Sequence, residues 1–495
     1  VMLSGLMALQ VLDQVMSAPS PLLITEAVGV GLGLGWAYSS LPRLRYFLTV
    51  LSPSILVFLI VFLFRSPLLH RENEFEEMPH GKSLTPVVMV ILDELPSISL
   101  LGEDGKIDPV RYPNLATLSK EAHWFKNAST VSEGTLISIP SILNGLYPEP
   151  GKVLLPTWAN HPRSLFSILK DSHHLNIHEN ITQLAPFQMP NNNLDLFMFL
   201  SDLRLLYLHL LLPHDLSSQL VPITESWKNF SFGPDSEPTK WENLKADWSV
   251  RGEQFRDFIQ SIQNTDKPGF HFLHSMLPHA SWKYLPDGRM YALFEKAGVA
   301  GVLGPNNKGR DVNQWLEDEW LVIQAYKRHL LQVSYVDKLV GELVSHLKKK
   351  NLYEQSLIVL TSDHGTAFLS GNSRRRITPS NHPGVISIPL IVKEPFQTQG
   401  FTSDRNVETI DILPTMLELL EIDISWNLDG VSALGSLPER PFKVAYSDNG
   451  KRFTFDARLP EREQLLKRKL DLFGSGQWST LFEAGPYPIL VGKQL

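Results

Sequence analysis

Three short apolar runs constrain the fold of this chain more than any other feature of its sequence. They are Val87–Leu92, the first part of Ser356–Gly365, and Val385–Lys393. Continuous apolar runs, unlike alternating ones, are typical of strands in a sheet that is covered on both faces. Helical patterns lie between the first two of these runs, over residues 112–125 and, with apolar spacing near 3.6, over Ala325–Lys350. This alternation predicts an α/β domain with a central, mostly parallel sheet flanked by helices.

Acidic residues and a histidine follow two of these runs directly. Asp93 and Glu94 come after the first run, and Asp363 and His364 come after the second. The carboxyl ends of parallel strands meet at one edge of a sheet, where active sites gather. Either pair alone would also suit a solvated strand end or a capped turn. Together, carboxylates and one imidazole favour a divalent-cation site, with zinc or manganese suggested by the nitrogen donor.

A hydroxyl-rich segment, "STVSEGTLISIPSILNG" at residues 129–145, supplies candidate nucleophiles. Its simplest interpretation is a polar loop with an ordinary helix N-cap. If a helix begins near Gly134 and Thr135, however, its N-terminus would favour a bound anion. A nearby dication would lower the pKa of a Thr or Ser hydroxyl and make it nucleophilic. These are the requirements of phosphoryl or sulfuryl transfer.

The N-terminal part of the chain predicts a membrane anchor. Tyr46–Phe64 carries no charge and is long enough to span a bilayer. Leu22–Leu41 is a weaker candidate span that would also suit a buried or interfacial helix. Arg43 and Arg45 lie between the two, which places that loop in the cytoplasm and the later chain on the outer, extracytoplasmic side. The apolar residues 1–12 are expected to belong to a truncated helix.

The chain of 495 residues is too long for one minimal domain, and we expect four regions. These are a membrane anchor at 1–70, a linker at 71–83, a catalytic domain at 84–437 with a helical insertion at about 185–260, and a C-terminal subdomain at 438–495. A net charge of −7 without a long basic block argues against nucleic-acid binding. The absence of Cys excludes disulfides, Cys-ligated zinc and a Cys nucleophile.

Seven sequence pieces resemble, in order, those of the sulfatase branch of the alkaline phosphatase superfamily. They are "VVMVILDEL", "YPNLATLSKEAHWFKNAST", "TLISIPSILNG", "MLPHASW", "SYVDKLVGELVSHL", "LIVLTSDHG" and "TIDILPTMLELLEI…LDGVS", between about residues 86 and 432. The resemblance implies the layered α/β fold of that superfamily, with a mostly parallel sheet between helices. It also implies a divalent metal ion, and it adds calcium to the candidates because similar Asp–His pairs bind calcium in sulfatases.

The resemblance implies a role for each candidate site residue. The metal ligands would be Asp93, Glu94, Asp363 and His364. Glu94 departs from the second Asp of true sulfatases, which leaves that ligand open. His279 would contact the oxygens of the transferred group, and Lys283 and His382 would face the substrate. The alternatives are a buried hydrogen-bonded histidine, an exposed lysine and a loop histidine, respectively.

Two hydroxyls match the nucleophile of related families. True sulfatases use Cys or Ser in C/S-x-P-x-R, where that residue is oxidised to formylglycine; "SIPSI" offers Ser138 but has Ile142 in place of arginine. Membrane phosphoethanolamine transferases have Thr-x-x-x-x-Pro, which Thr135 and Pro140 match. We predict Thr135 as the nucleophile, which would also contact the metal, with Ser138 as the alternative.

The predicted function is that of a membrane-bound, metal-dependent hydrolase or transferase of phosphate or sulfate esters. The layout resembles lipoteichoic acid synthases and phosphoethanolamine transferases, which take a head group from a phospholipid. The expected partners are the membrane and an anionic ester, carried by a lipid or a glycan. Alternatives are a sulfuric ester hydrolase, a phosphodiesterase that uses metal-bound water, and a non-catalytic membrane protein that binds an anionic glycan.

Overall fold

The computed structural model describes residues 8–9, 12, 20–54, 56–57, 83–149, 151, 154–186, 196–217, 220, 250–290, 313–435 and 440–483. The chain divides into two units. One comprises Val1–Glu76 and Gln188–Ala246, and the other comprises Glu77–Phe187 and Asp247–Leu495. The four regions expected from the sequence are a finer division than these two units and remain a prediction.

A seven-stranded sheet organises the larger unit, in the order β4-β5-β1-β6-β7-β2-β8. Its strands are β1 (Val87–Leu92), β2 (His123–Phe125), β4 (His174–His178), β5 (Gly269–Ser275), β6 (Leu357–Ser362), β7 (Leu390–Lys393) and β8 (Phe401–Ser403). Two small sheets add β3 (Ala128–Ser129) with β9 (Val407–Glu408), and β10 (Phe442–Tyr446) with β11 (Arg452–Asp456). In the large sheet only β7 runs antiparallel to its neighbours, so the predicted mostly parallel sheet is confirmed.

Both faces of strand β1 are buried, which explains its uninterrupted apolar sequence. Val88, Val90 and Leu92 belong to one hydrophobic cluster, and the residues between them belong to another on the opposite face. Each fully buried Val or Leu side chain contributes about 1.5–3 kcal/mol to folding. The central strands are therefore held from both sides, as the sequence pattern predicts.

Helices cover these two faces. One face carries α3 (Pro113–Lys120), α8 (Arg251–Ser261) and α9 (Glu319–Lys349). The other carries α4 (Thr135–Asn144), α5 (Leu165–Leu169) and α11 (Ile412–Leu419). The long helix α9 covers most of the predicted helix Ala325–Lys350 and begins earlier, because Asp318 caps it by accepting a hydrogen bond from the Leu321 N–H.

Two expectations from the sequence need correction. The run Val385–Lys393 is a strand only at β7; its first part belongs to helix α10 (His382–Ile386). Pro383 starts that helix, and Pro389 has no N–H to donate before the strand begins. The helical pattern over residues 112–125 likewise ends early, because β2 pairs with β7 and β8 and takes the last three residues into the sheet.

The smaller unit contains the helices α1 (Ser20–Ser40), α2 (Pro42–Leu51), α6 (Leu196–Leu211) and α7 (His214–Ser217). Among the described residues, one helix is long and apolar enough to cross a membrane: Pro21–Ser40, with a mean hydropathy of 1.3. The second expected span, Tyr46–Phe64, is described only in part, and residues 58–82, which include most of the expected linker, lie outside the described residues. The expected helical insertion at about 185–260 is likewise described only at residues 185–186, 196–217, 220 and 250–260.

The end of the chain forms the β10–β11 hairpin, followed by helices α12 (Glu461–Phe473) and α13 (Ser479–Glu483). Ser132 forms a β-bridge with Tyr446, and the Glu133 N–H donates to the Tyr446 carbonyl at 3.1 Å. The hairpin is thereby attached directly to the segment that leads into α4.

Candidate active site

Strand register places two carboxylates side by side at one edge of the sheet. Strands β1 and β6 are parallel neighbours, and Leu92 lies opposite Ser362. Asp93 and Asp363 are the next residues on each strand. The Asp363 N–H donates to the Leu92 carbonyl at 3.1 Å, and the Ser362 hydroxyl donates to the same carbonyl at 2.7 Å. The sequence-based placement of this pair at equivalent strand ends is confirmed.

Asp93, Asp363 and His364 form a buried group that is able to hold a metal ion. One ligand atom from each lies within 4.8 Å of the others, and all three side chains are inaccessible to solvent or nearly so. Asp363 Oδ1 accepts hydrogen bonds from the backbone N–H groups of Glu94 and His364 at 3.0 and 2.7 Å. Asp363 Oδ2 and Asp93 Oδ1 have no hydrogen-bond partner. Buried oxygens of this kind need a partner, and a hard cation suits them.

The electrostatics of the site also favour a cation. Burial and the neighbouring Asp363 carboxylate raise the pKa of Asp93 well above its usual range, and Arg375 only partly offsets them. Burial lowers the pKa of His364, so its imidazole is neutral near pH 7 and able to act as a ligand. A divalent ion would reverse the repulsion between the two carboxylates. The residues present therefore fit the metal site that the sequence predicts.

Glu94, the expected fourth ligand, lies outside this group of three. Its carboxylate forms an ion pair with Arg374, accepts the Ala280 N–H at 3.1 Å, and lies 3.9 Å from His279 Nε2. Burial opposes its ionisation, but the neighbouring guanidinium groups of Arg374 and Arg375 lower the pKa of Glu94 well below its usual range. These contacts give Glu94 a role toward the arginines, and its ligand role remains a prediction that they do not support.

Thr135 lies at the first turn of helix α4, as the sequence predicts. Its side chain is 5% exposed, and Oγ1 lies 3.4 Å from His364 Nε2. The preceding residue, Gly134, is the N-cap in an extended conformation. A Cβ atom on Gly134 would lie 2.0 Å from Asp448 Oδ1 in the C-terminal hairpin. The hydroxyl therefore lies next to a metal-ligand candidate, at a helix N-terminus whose N-cap glycine is approached closely by the Asp448 side chain.

Ser138, the alternative nucleophile, lies one turn further into α4. Its hydroxyl donates to the Asp363 carbonyl at 2.6 Å and lies 3.0 Å from Thr130 Oγ1. The residue is fully buried. Ile142, which occupies the arginine position of the formylglycine motif, is buried in the apolar cluster behind the helix. These contacts engage the Ser138 hydroxyl within the core, and its role as the alternative nucleophile remains a prediction.

Arg375 links the two sides of the site, and the sequence analysis missed it. One guanidinium nitrogen lies 2.8 Å from His364 Nε2, and another lies 3.1 Å from His279 Nε2. Although burial opposes its charge, Glu94, Asp93 and Asp363 raise the pKa of Arg375. The run "SRRRI" at residues 373–377, shortly after the Asp363–His364 pair, was the available signal. A forked cation at this position suits an oxyanion.

His279 is brought to the site as expected. Besides its contact with Arg375, its Nδ1 lies 2.6 Å from the Ala280 carbonyl. Burial lowers the pKa of His279 well below its ordinary value, which Glu94 only partly opposes, so the ring is neutral near pH 7. Arg251 donates to the carbonyls of Met276 and His279 at 3.0 and 2.9 Å and fixes this segment. It is a second arginine that the sequence analysis did not identify.

Lys283 and His382 are not brought into contact with the group of three. The Lys283 backbone N–H donates to Gln332 at 3.0 Å, and its side chain makes no hydrogen bond or ion pair within the described part of the chain. The His382 ring stacks on Phe455 with centroids 4.3 Å apart, and its Nε2 lies 3.6 Å from a Glu461 oxygen. Their substrate-facing roles remain predictions.

Comparisons with known proteins agree with this geometry. The family model described as Sulfatase matches residues 86–422. Arylsulfatase K of Gallus gallus is 35% identical over 104 residues, which are 21% of this chain and 19% of that protein. An endo-4-O-sulfatase of Bacteroides thetaiotaomicron is 23% identical over 191 residues, which are 38% of this chain and 35% of that protein.

Solved structures were also compared. A phosphonate monoester hydrolase of Agrobacterium radiobacter matches with a TM-score of 0.47 and 16% identity, over 73% of this chain and 80% of that chain. The alignments with the first curated relatives span about a fifth to a third of the length of those proteins.

Proposed function

This chain belongs to the sulfatase family, and we propose that it is a metal-dependent hydrolase of sulfate or phosphate esters with Thr135 as its nucleophile. The observation that carries the proposal is the position of the Thr135 hydroxyl, 3.4 Å from His364 in a buried group with two carboxylates. Asp93, Asp363 and His364 would hold the divalent ion. When bound, the ion would supply positive charge that lowers the pKa of the hydroxyl and stabilises the transferred oxyanion.

The other residues would act on the ester itself. Arg375 lies between His364, the neighbour of Thr135, and His279. Arg375 and His279 would bind the non-bridging oxygens. Thr135 Oγ1 would lose its proton and bond to sulfur or phosphorus, while the bond to the ester oxygen breaks and the alcohol leaves with a proton. Water would then cleave the threonyl ester, which releases sulfate or phosphate and restores the hydroxyl. Glu94 would keep the arginines in place.

The test uses 4-nitrophenyl sulfate and 4-nitrophenyl phosphate with protein loaded in turn with Zn²⁺, Mn²⁺ or Ca²⁺. Asp363→Asn should lose bound metal and about three orders of magnitude in rate, because it removes a charged ligand from the buried group. Asp423→Asn, at an exposed carboxylate, is the matched control and should behave as wild type. Full metal content and normal turnover in Asp363→Asn would overturn the site.

We further propose that the helix Pro21–Ser40 anchors the chain in a membrane and that the catalytic unit lies on the outer side. The length and hydropathy of the helix support anchoring. Arg43 and Arg45 place the residues just beyond it in the cytoplasm, and Tyr46–Phe64, as a second span, would carry the later chain to the outer side. Transfer of a phospholipid head group to an acceptor alcohol is the alternative outcome of the same threonyl intermediate. Product analysis with and without an added alcohol distinguishes transfer from hydrolysis.

A further inference from the structure

A large groove lies beside β8, the outermost strand on one side of the large sheet. It encloses about 910 Å³. One wall is strand β8 with the residues that follow β2, and the other wall is the C-terminal subdomain between β11 and α12. Its polar lining includes Lys126, Asn127, Asp404, Arg405, Arg458 and Arg462. Its size is sufficient for several linked rings, and its lining combines charged and polar side chains with apolar ones.

The groove is basic, although the chain is acidic. Four Lys or Arg side chains and two carboxylates line it, whereas the whole chain has a net charge of −7. Surface charge of one sign within a concave site raises the local concentration of ligands of the opposite sign. The groove therefore carries a local excess of positive charge and is complementary to an anion.

Arg458 is the cation most available to a ligand. Its residue is exposed, and its guanidinium has no hydrogen bond or ion pair within the described residues, where only its backbone N–H is bonded, to Asp456. The neighbouring cations are partly engaged: Arg462 donates to the Lys126 carbonyl at 2.6 Å, and Lys126 lies 3.4 Å from an Asp404 oxygen. Asp404 is 82% exposed, so that ion pair is weak and open to exchange.

The groove and the candidate active site lie on the same side of the sheet, at the carboxyl ends of its parallel strands. Strands β2 and β8 run parallel to β6, because β7 between β6 and β2 is antiparallel to both. Lys126 and Asp404 follow β2 and β8 as Asp363 follows β6. At a strand spacing near 4.8 Å, the groove begins about 10–15 Å from the metal-ligand group along this edge. A small monoester cannot reach both places, but an extended chain can.

We propose that this groove binds a further anionic group of a polymeric substrate, a polysaccharide that carries several sulfate or phosphate esters. One ester would lie at Thr135 while another group of the same chain lies against Arg458. This inference rests on the proposed function for its substrate class. It assigns the groove a role in affinity for the polymer and none in the chemical step.

The kinetic test compares Arg458→Glu with Lys349→Glu, a charge reversal at another exposed residue on helix α9. The substrates are 4-nitrophenyl sulfate or phosphate and a polysaccharide bearing the same ester. Arg458→Glu should lower kcat/KM for the polysaccharide by about fivefold, mainly through KM, because an exposed charge contact is modest and reversal adds repulsion. It should leave the small ester unchanged. An equal effect of both variants on the polysaccharide would refute the groove.

Direct binding separates this inference from the proposed function. Fluorescence anisotropy with labelled dextran sulfate should show binding that weakens with salt and with Arg458→Glu, while uncharged dextran should not bind. That result without any ester hydrolysis would support the groove and overturn the proposed function. Loss of binding to phosphatidylglycerol vesicles in Arg458→Glu, with unchanged dextran sulfate binding, would assign the groove to a lipid surface and refute the inference.

Discussion

Replacing the two hydroxyls of helix α4 one at a time gives the sharpest test of the proposed chemistry. Thr135→Ala should lower the turnover rate by about three or more orders of magnitude, because a covalent nucleophile is lost. The substitution should have a small effect on stability, since the hydrogen bond between the Thr135 hydroxyl and His364 is long at 3.4 Å. Thr135→Ser keeps a hydroxyl and should retain part of the activity.

Ser138→Ala should show the opposite behaviour. The substitution removes the 2.6 Å hydrogen bond to the Asp363 carbonyl and the 3.0 Å contact with Thr130, both in a fully buried setting. Leaving these partners unsatisfied should cost about 1–3 kcal/mol of unfolding free energy. The rate should fall much less than in Thr135→Ala, because only the position of Asp363 is disturbed.

Both quantities are measured on each variant: steady-state turnover of the better 4-nitrophenyl ester, and the thermal unfolding midpoint with and without metal. The decisive result is that Thr135→Ala loses turnover but keeps its stability, whereas Ser138→Ala loses stability but keeps most of its turnover. An inactive Ser138→Ala together with an active Thr135→Ala would refute the assignment and place the nucleophile at Ser138, one helical turn further along α4. Formylglycine-type sulfatase chemistry would then be the better explanation, despite Ile142.

Three further predictions concern the surroundings of the site and the unit that carries it. Glu94→Gln should keep its metal, measured by elemental analysis, but lose about 3–5 kcal/mol of stability, because the buried Arg374 loses its carboxylate partner; loss of the metal would restore Glu94 as a ligand. Burial lowers the pKa of His271 to about 4, below the unfolded value near 6.5, so stability should be complete above pH 6.5 and fall by up to about 3 kcal/mol toward pH 4. His271→Gln should reduce the slope of the unfolding midpoint over that interval, and an unchanged slope would contradict this cause. Protease added to intact cells should digest the catalytic unit, and digestion only after lysis would reverse the predicted topology.

The central part of the fold was predictable because its signals are local. An uninterrupted apolar run such as Val87–Leu92 needs two covered faces, and the acidic residue after it marks the strand end. Two such strands bring Asp93 and Asp363 together without further information. The start of α4 at Thr135 was also predictable from the sequence, since a glycine precedes an apolar helical segment there.

The rest depends on pairings that no local pattern encodes. Glu94 looks like a ligand from its position beside Asp93, but Arg374 reaches it from a loop 280 residues later and takes its carboxylate. The same loop delivers Arg375 to two histidines. The third strand was predicted too long, because the apolar residues of a short helix and those of a strand form the same continuous run in the sequence. The prolines in and after that helix were the signal that separates the two.

The register of β1 and β6 has a consequence for how the protein acquires and loses its structure. Leu92 and Ser362 are 270 positions apart, so the two halves of the metal-ligand group meet only after a very long loop has closed. Contacts of this range form slowly, and the metal-ligand group is complete only once they have formed. Bound metal should therefore leave the refolding rate almost unchanged and slow unfolding instead, so that the loaded protein persists longer in denaturant than its equilibrium midpoint alone would suggest.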